Sequence, residues 1–327
     1  MVADDQIKEI VQAVLSQLLA RPDAATTGTE PQGESKAAQP SPAGTAYSAP
    51  AVAGDRAPGT DGGGCGVDNK EDDDEKLEDL TLVDLQKEIL VPNPVDRAAL
   101  EYFKSTTPAR IGVWRSGPRP LTRTVLRFRA DHAVAQDAVF SELDESLAAR
   151  FDLLPVQSQV RNKDEYLTRP DLGKKLSPDS VEKIRQHCPG GVDVQLVVAD
   201  GLSSRAISAN LPHILPPLLE GLKAQGLTVG KGVLVRYGRV EIMDQIGMLV
   251  QAKVVVLLVG ERPGLGTAES MSAYLIYQPH EGTLIADHTV VSNIHKGGTP
   301  PAEAGAYLAT LIRKIYDAKA SGVNLPL

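Results

Sequence analysis

Glu261, in "LLVGERPGLGTAES", stands at the mouth of a glycine-bearing loop that follows an unbroken apolar run, Val254 to Val259. Glycine loops behind a strand ordinarily cradle phosphate, because free amides and a helix N-terminus favour an anion. Here a carboxylate at the mouth repels pyrophosphate, Pro263 removes one amide, and Glu269 takes the place of the last glycine of a dinucleotide fingerprint. A P-loop lysine is absent as well. The chemistry left to such a loop is to accept hydrogen bonds from the hydroxyls or amides of a neutral ligand. The plainer reading is a tight turn with a solvated glutamate. Two other loops, "ADGLSSRA" and "VRYGRVEIMDQIG", and the Gly-Gly turn of "SNIHKGGTPPAE" are further candidates. The six histidines show no paired ligand spacing, and neither a nucleophile elbow nor an HExxH motif occurs. No catalytic residue and no metal ligand is therefore assigned.

These loops need strands to hold them. "VQLVVADG", "GVLVRYG" and "AKVVVLLVG" are continuous apolar strands alternating with helical stretches, which predicts a mostly parallel sheet covered on both faces. "AYLIYQ" and "TLIADHTVVSN" predict two more strands. Ser203 and Ser204 suit a helix cap, "ILPPLLEGLKAQGL" reads as a second helix ending at Gly226, and Pro300 and Pro301 start a closing helix that ends at Gly322. Residues 191–327 are thus expected to form a Rossmann-like, doubly wound α/β domain, with its ligand beyond the carboxyl ends of the strands. Residues 91–190 read as a helical N-terminal region broken by Arg- and Lys-dense loops, "GVWRSGPRPLTRT" and "YLTRPDLGKKL".

Ahead of these, Ile7, Ile10, Val11, Val14, Leu15, Leu18 and Leu19 recur at helical spacing within residues 1–20. Residues 21–90 are expected to be a disordered linker, too poor in apolar groups to offset their ordering entropy. The short helix either docks loosely on its own domain or a sister chain, or lays its stripe on another protein as an address peptide. The chain has 327 residues and a net charge of −8, which argues against a nucleic-acid partner. Residues 61–88 hold eleven Asp/Glu and three Lys, so they alone account for that charge. No apolar stretch reaches the roughly 18 residues of a membrane span, and residues 1–20, acidic first and amphipathic after, do not read as a basic-then-apolar signal peptide. Cys65 and Cys188 lie far apart without metal or disulfide spacing, which suits a cytoplasmic protein.

Taken together, "SGPRP", "LRFRADH", "YLTRPDLGKKL", "VVADGLSSRAI", "VRYGRVEIMDQIG", "LLVGERPGLG", "SNIHKGGTPP" and "KASGVN" closely resemble the small (light) chain of ethanolamine ammonia-lyase. The strings fall in order from about residue 110 to 327. The resemblance implies one subunit of an adenosylcobalamin-dependent lyase that converts ethanolamine to acetaldehyde and ammonia. The large subunit would be the partner and would hold the substrate, while the small chain covers the cobalamin. By motif, the family's cobalamin contacts fall on Val240, Glu261 and Val290. Some relatives carry cysteine at the last position, so a thiol role is lost here. The DxHxxG signature whose histidine ligates cobalt is absent, which suits a cofactor that keeps its own base on the metal. Such relatives often work inside bacterial microcompartments, so the helix within 1–20 is expected to address a shell or cargo protein. A nucleotide- or sugar-binding regulatory module and a purely structural subunit remain as alternatives.

Overall fold

The computed structural model describes residues 79–84 and 87–326. The amphipathic stretch 1–20, and all of the expected linker before residue 79, lie outside the described residues. From the amino end, a 3-10 turn at Leu80–Leu82 precedes α1 (Arg97–Ser105) and a hairpin of β1 (Arg115–Ser116) and β2 (Arg119–Pro120). Helices α2 (Thr122–Phe140) and α3 (Ser146–Arg150) follow, then β3 (Leu154–Gln157), α4 (Lys163–Thr168) and α5 (Pro178–His187). The remaining elements are β4 (Val194–Ala199), α6 (Ser204–Ala224), β5 (Val233–Arg236), α7 (Ile242–Val250), β6 (Val254–Gly260), β7 (Met271–Tyr277), β8 (Thr289–Ile294) and α8 (Pro301–Ala318).

Six strands form one sheet in the order β3-β5-β4-β6-β7-β8. The first four are mutually parallel, and β7 and β8 extend the sheet antiparallel. Every residue of β4 and of β6 is buried, the structural counterpart of their uninterrupted apolar runs. Alternate residues serve opposite layers. Val194, Leu196, Val198, Val254, Val256 and Leu258 pack under α6 and α8, while Val197, Ala199, Val255, Leu257 and Val259 face α5 and α7. The architecture is mixed α/β with a mostly parallel sheet.

Local signals account for most boundaries. The Ser203 hydroxyl accepts the Ala206 amide at 3.2 Å and caps α6, and Gly226, at φ +72°, lies just past its end. The stretch expected as two helices is one, running through Pro212, Pro216 and Pro217. Each proline removes an N–H, yet Ile207, Leu211, Ile214, Leu215 and Leu218 are buried along it, and this packing outweighs the missing bonds. Helix α8 ends at Ala318 with Lys319 left-handed at φ 53°, and Gly322 instead opens a 3-10 turn. Of the expected strand in "TLIADHTVVSN", only Thr289–Ile294 is extended, because Ile285–Asp287 closes a 3-10 turn.

The stretch read as helical also supplies a strand. β3 lies at the outer edge of the sheet beside β5. That edge is closed: Pro155 has no N–H, the Gln157 amide donates to the Ser180 hydroxyl at 2.9 Å, and the Ser177 amide donates to the Gln157 carbonyl at 3.1 Å.

Candidate cofactor-facing site

The strand order places β4 between β5 and β6, so the chain leaves β4 for one neighbour and later returns to the other. At such a switch point the loops diverge and leave a crevice beyond the strand ends. A cleft of about 220 Å³ lies here, lined among others by Gly201, Gly238, Arg239, Val240, Glu261 and Tyr274. A larger groove of about 590 Å³ runs along the β3 edge past Ser177, Lys183 and Arg236, away from the loops after β4 and β6.

Beneath the cleft the backbone is too tight for a phosphate cradle. Gly201 sits at φ +56°, and a Cβ there would come 2.2 Å from the Gly260 carbonyl. A Cβ on Gly260 would meet the Ser203 carbonyl at 2.1 Å. Asp200, buried just below, accepts the Tyr237 amide at 2.8 Å and the Gly238 amide at 2.9 Å. Burial pushes its carboxyl up to about 6 against the pull of those amides and of Lys163. The amides that a bound anion would use are therefore already taken.

The floor is stiffened by a cation–aromatic stack. The Arg239 guanidinium lies 4.2 Å from the centre of the Tyr166 ring and donates to the Tyr166 carbonyl at 2.9 Å. The Tyr166 hydroxyl donates to the Gly238 carbonyl at 2.9 Å, and the Arg239 amide to the Gly173 carbonyl at 2.8 Å. Gly173 is required, since a Cβ there would lie 2.7 Å from Arg239 Cγ. Lys163, also buried, places its ammonium 5.4 Å from Tyr166 and 6.0 Å from Tyr237. The "YLTRPDLGKKL" and "RYGRV" strings thus form one unit that aims Val240 and Arg239 at the cleft. Arg239 Nε is buried without a hydrogen-bond partner.

Glu261 is not a solvated turn residue. Its Oε1 accepts the Ser272 hydroxyl at 2.6 Å and the Asn293 amide at 2.9 Å, joining the ends of β6, β7 and β8. Burial raises the carboxyl, but nearby Ser270, the Ser272 hydroxyl, the Asn293 amide and His295 together hold it below the ordinary glutamate value. Sequence alone points to donors on a neutral ligand; the donors seen here are the protein's own Ser272 hydroxyl and Asn293 amide. The glycine turn beyond it is tied back to the rest of the chain. The Leu265 carbonyl accepts from Arg110 at 2.9 Å, and the same nitrogen of Arg110 reaches Asp131 at 2.5 Å. That contact spans 155 residues and leaves no periodic trace in the sequence.

The three sequence-selected positions are placed as follows. Val240 and Glu261 share the cleft. Val290 does not line it; it pairs across the β7–β8 ladder with Tyr274, which does. Directly opposed residues share a sheet face, so Val290, 43% exposed, continues the cleft onto the antiparallel extension. Tyr274 was not singled out from sequence. Its hydroxyl has no partner among the described residues, and burial, with the Glu261 and Glu241 charges, raises its pKa. Beside it the buried His288 ring stands edge-on at 6.5 Å, with Nε2 3.0 Å from Asp244 Oδ1 and Nδ1 3.3 Å from the Ile285 carbonyl. Burial lowers the His288 pKa, and the Asp244 contact together with the Ile285 and Leu284 carbonyls more than reverses this. Among the described residues no three His, Cys, Asp or Glu gather as a metal site, and no helix is long and apolar enough to cross a membrane.

Fold and cleft together define an α/β subunit that offers a shallow, carboxylate-bearing surface at a sheet switch point. The family described as ethanolamine ammonia-lyase light chain (EutC) matches residues 97–326. The ethanolamine ammonia-lyase small subunit of Listeria innocua is 53% identical over 249 residues, 76% of this chain and 85% of the relative. That of Clostridium perfringens is 52% identical over 252 residues, 77% and 85% of the two chains. That of Clostridium tetani is 48% identical over 256 residues, 78% and 87%. The chain belongs to the ethanolamine ammonia-lyase small-subunit family and is one chain of a two-subunit lyase, with a large subunit as its partner.

Proposed function

We propose that this chain closes over adenosylcobalamin in an enzyme that converts ethanolamine to acetaldehyde and ammonia, while the large subunit holds the substrate. The observation that carries this reading is the placement of Val240 and Glu261 in one cleft that opens through Tyr274 onto Val290. A shallow cleft continuing onto an exposed sheet face suits one side of a large, flat ligand better than a small enclosed one.

The donor set fits the cofactor. Cobalamin is rimmed with carboxamides and bears ribose hydroxyls, which need both acceptors and donors. Glu261 supplies a charged acceptor, the Tyr274 hydroxyl is without a partner among the described residues, and Val240 and Val290 supply apolar contact. When bound, the cofactor supplies radical chemistry through homolysis of its cobalt–carbon bond. This chain's residues position and shield. Arg239, fixed on Tyr166, keeps Val240 at the rim, and the Glu261 brace keeps β8 beside it. The apolar stripe within 1–20 addresses the assembled enzyme to a microcompartment through a shell or cargo protein. The test is an absorption spectrum of the chain co-purified with its large subunit. Stoichiometric cobalamin in the wild type, reduced in Val240→Asp, is expected. A wild-type complex that retains a nucleotide and no cobalamin refutes the reading.

A further inference from the structure

We infer that the face built by the β1–β2 hairpin and α2 is the docking surface for the large subunit, and that it receives an apolar side chain of that partner flanked by carboxylates. The inference rests on family membership, not on the cofactor reading. Helix α2 runs for 19 residues yet buries only Asp131, Ala135 and Ala138. Helices of this length usually owe their stability to a buried apolar face, and among the described residues this one buries no large apolar side chain fully. Of the fifteen large apolar side chains exposed among the described residues, eight fall between Leu82 and Phe140, among them Tyr102, Trp114, Leu126 and Phe128. Scattered singly such residues need no explanation, but Phe128 stands with Val113, Pro120 and Val125 around one cavity, and that grouping marks an interaction surface.

Between hairpin and helix lies a cavity of about 340 Å³, lined by Val113, Pro120, Val125 and Phe128 and rimmed by Arg115 and Arg129. Thr124, also in its wall, has its hydroxyl buried without a partner. Arg115 and Arg129, both exposed, have no acidic partner among the described residues, so carboxylates on the occupant would complement them. A second copy of the face would oppose arginine with arginine, which disfavours self-pairing. The large subunit is the partner that the family supplies. Arg110, in the wall of the same cavity, donates to the Leu265 carbonyl and so joins this surface to the turn behind Glu261.

The test measures affinity between the full chain and its large subunit. Phe128→Ser, and separately Arg115→Glu with Arg129→Glu, are each expected to weaken pairing at least tenfold. Tyr307→Ser, 56% exposed on α8, serves as the control and should stay within twofold. Arg115 and Arg129 are exposed, so the double variant should leave melting unchanged, whereas Phe128 also packs on Arg110 at 5.0 Å and its variant is read alongside its melting. As a check free of substitutions, amides of residues 113–129 in the wild type should gain hydrogen-exchange protection when the large subunit binds. Pairing within twofold in both variants, or no protection there, overturns the inference. So does self-association of the chain alone that these substitutions abolish, which would make a second copy the occupant.

Discussion

Glu261 braces three strand ends in this structure and is proposed to meet the cofactor, and a pair of substitutions separates the two roles. Glu261→Ala removes the acceptor of both the Ser272 hydroxyl and the Asn293 amide. Leaving such donors unpaired costs about 1–3 kcal/mol, less where water replaces the lost group. At roughly 2–4 °C per kcal/mol for a unit of this size, melting should fall on the order of 5 °C. Cofactor retention should fall about ten- to a hundred-fold, the equivalent of one charge-assisted bond of about 1.5–3 kcal/mol. Glu261→Gln keeps an acceptor oxygen and the shape but loses the charge. Its stability should change by less than about 1 kcal/mol, while retention still falls about fivefold, the difference between a charged and a neutral bond. Both are read by melting of the chain and by equilibrium dialysis of cobalamin against the two-chain complex. The sign with pH is fixed too. The carboxyl lies below its ordinary value near 4.3, so its stabilising share is present above that pH and lost as pH falls through the lowered value. The Gln variant should lack that acid-side loss. A Gln variant that retains cobalamin like the wild type would refute a cofactor role and leave Glu261 as a strand brace.

Val240→Asp places an unpaired carboxylate at the packed rim and should block holoenzyme formation, and equal cobalamin content in the mutant complex removes Val240 from the site. Gly201→Ala forces a side chain into the left-handed region and against the Gly260 carbonyl, so it should destabilise by more than about 1 kcal/mol. Unchanged denaturant midpoints would show that the loops part more easily than their packing implies. The His288 pKa is raised, so its contribution is complete below the ordinary histidine value near 6.5 and is lost as pH rises through the raised one. Unfolding free energies measured from pH 6 upward should show this decline in the wild type and not in His288→Gln. Deleting residues 1–20 should leave activity and pairing intact and abolish delivery of a fused reporter into a microcompartment; loss of pairing instead assigns this segment to the subunit interface.

The central strands were legible because burial on both faces leaves an unmistakable apolar run, as in Val254 to Val259. Ser203 and Gly226 were legible because capping is local chemistry. β3 was not, since "LPVQ" is four residues long, carries a proline and takes its strand character from β5. Of the site, Glu261 and Val240 were identified by motif, but nothing along the chain shows that Asn293 and Ser272 meet on one oxygen of Glu261. Tyr274 was not singled out for a similar reason: its residue type fits a core strand, and only the fold shows that it lines the cleft. Arg110 and Leu265 are brought together by the fold alone.

The closed margin at β3 has a consequence for the life of the chain before its partner arrives. A subunit made ahead of a larger one must wait as an orphan, often at high local concentration. Exposed strand margins are then templates on which copies stack into insoluble ladders. With Pro155 offering no donor and the Gln157 donor and acceptor answered by Ser180 and Ser177, that margin gives a neighbouring chain little to pair with. Ser180→Ala, which reopens one rung, should therefore change solubility in the absence of the partner more than it changes the assembled enzyme.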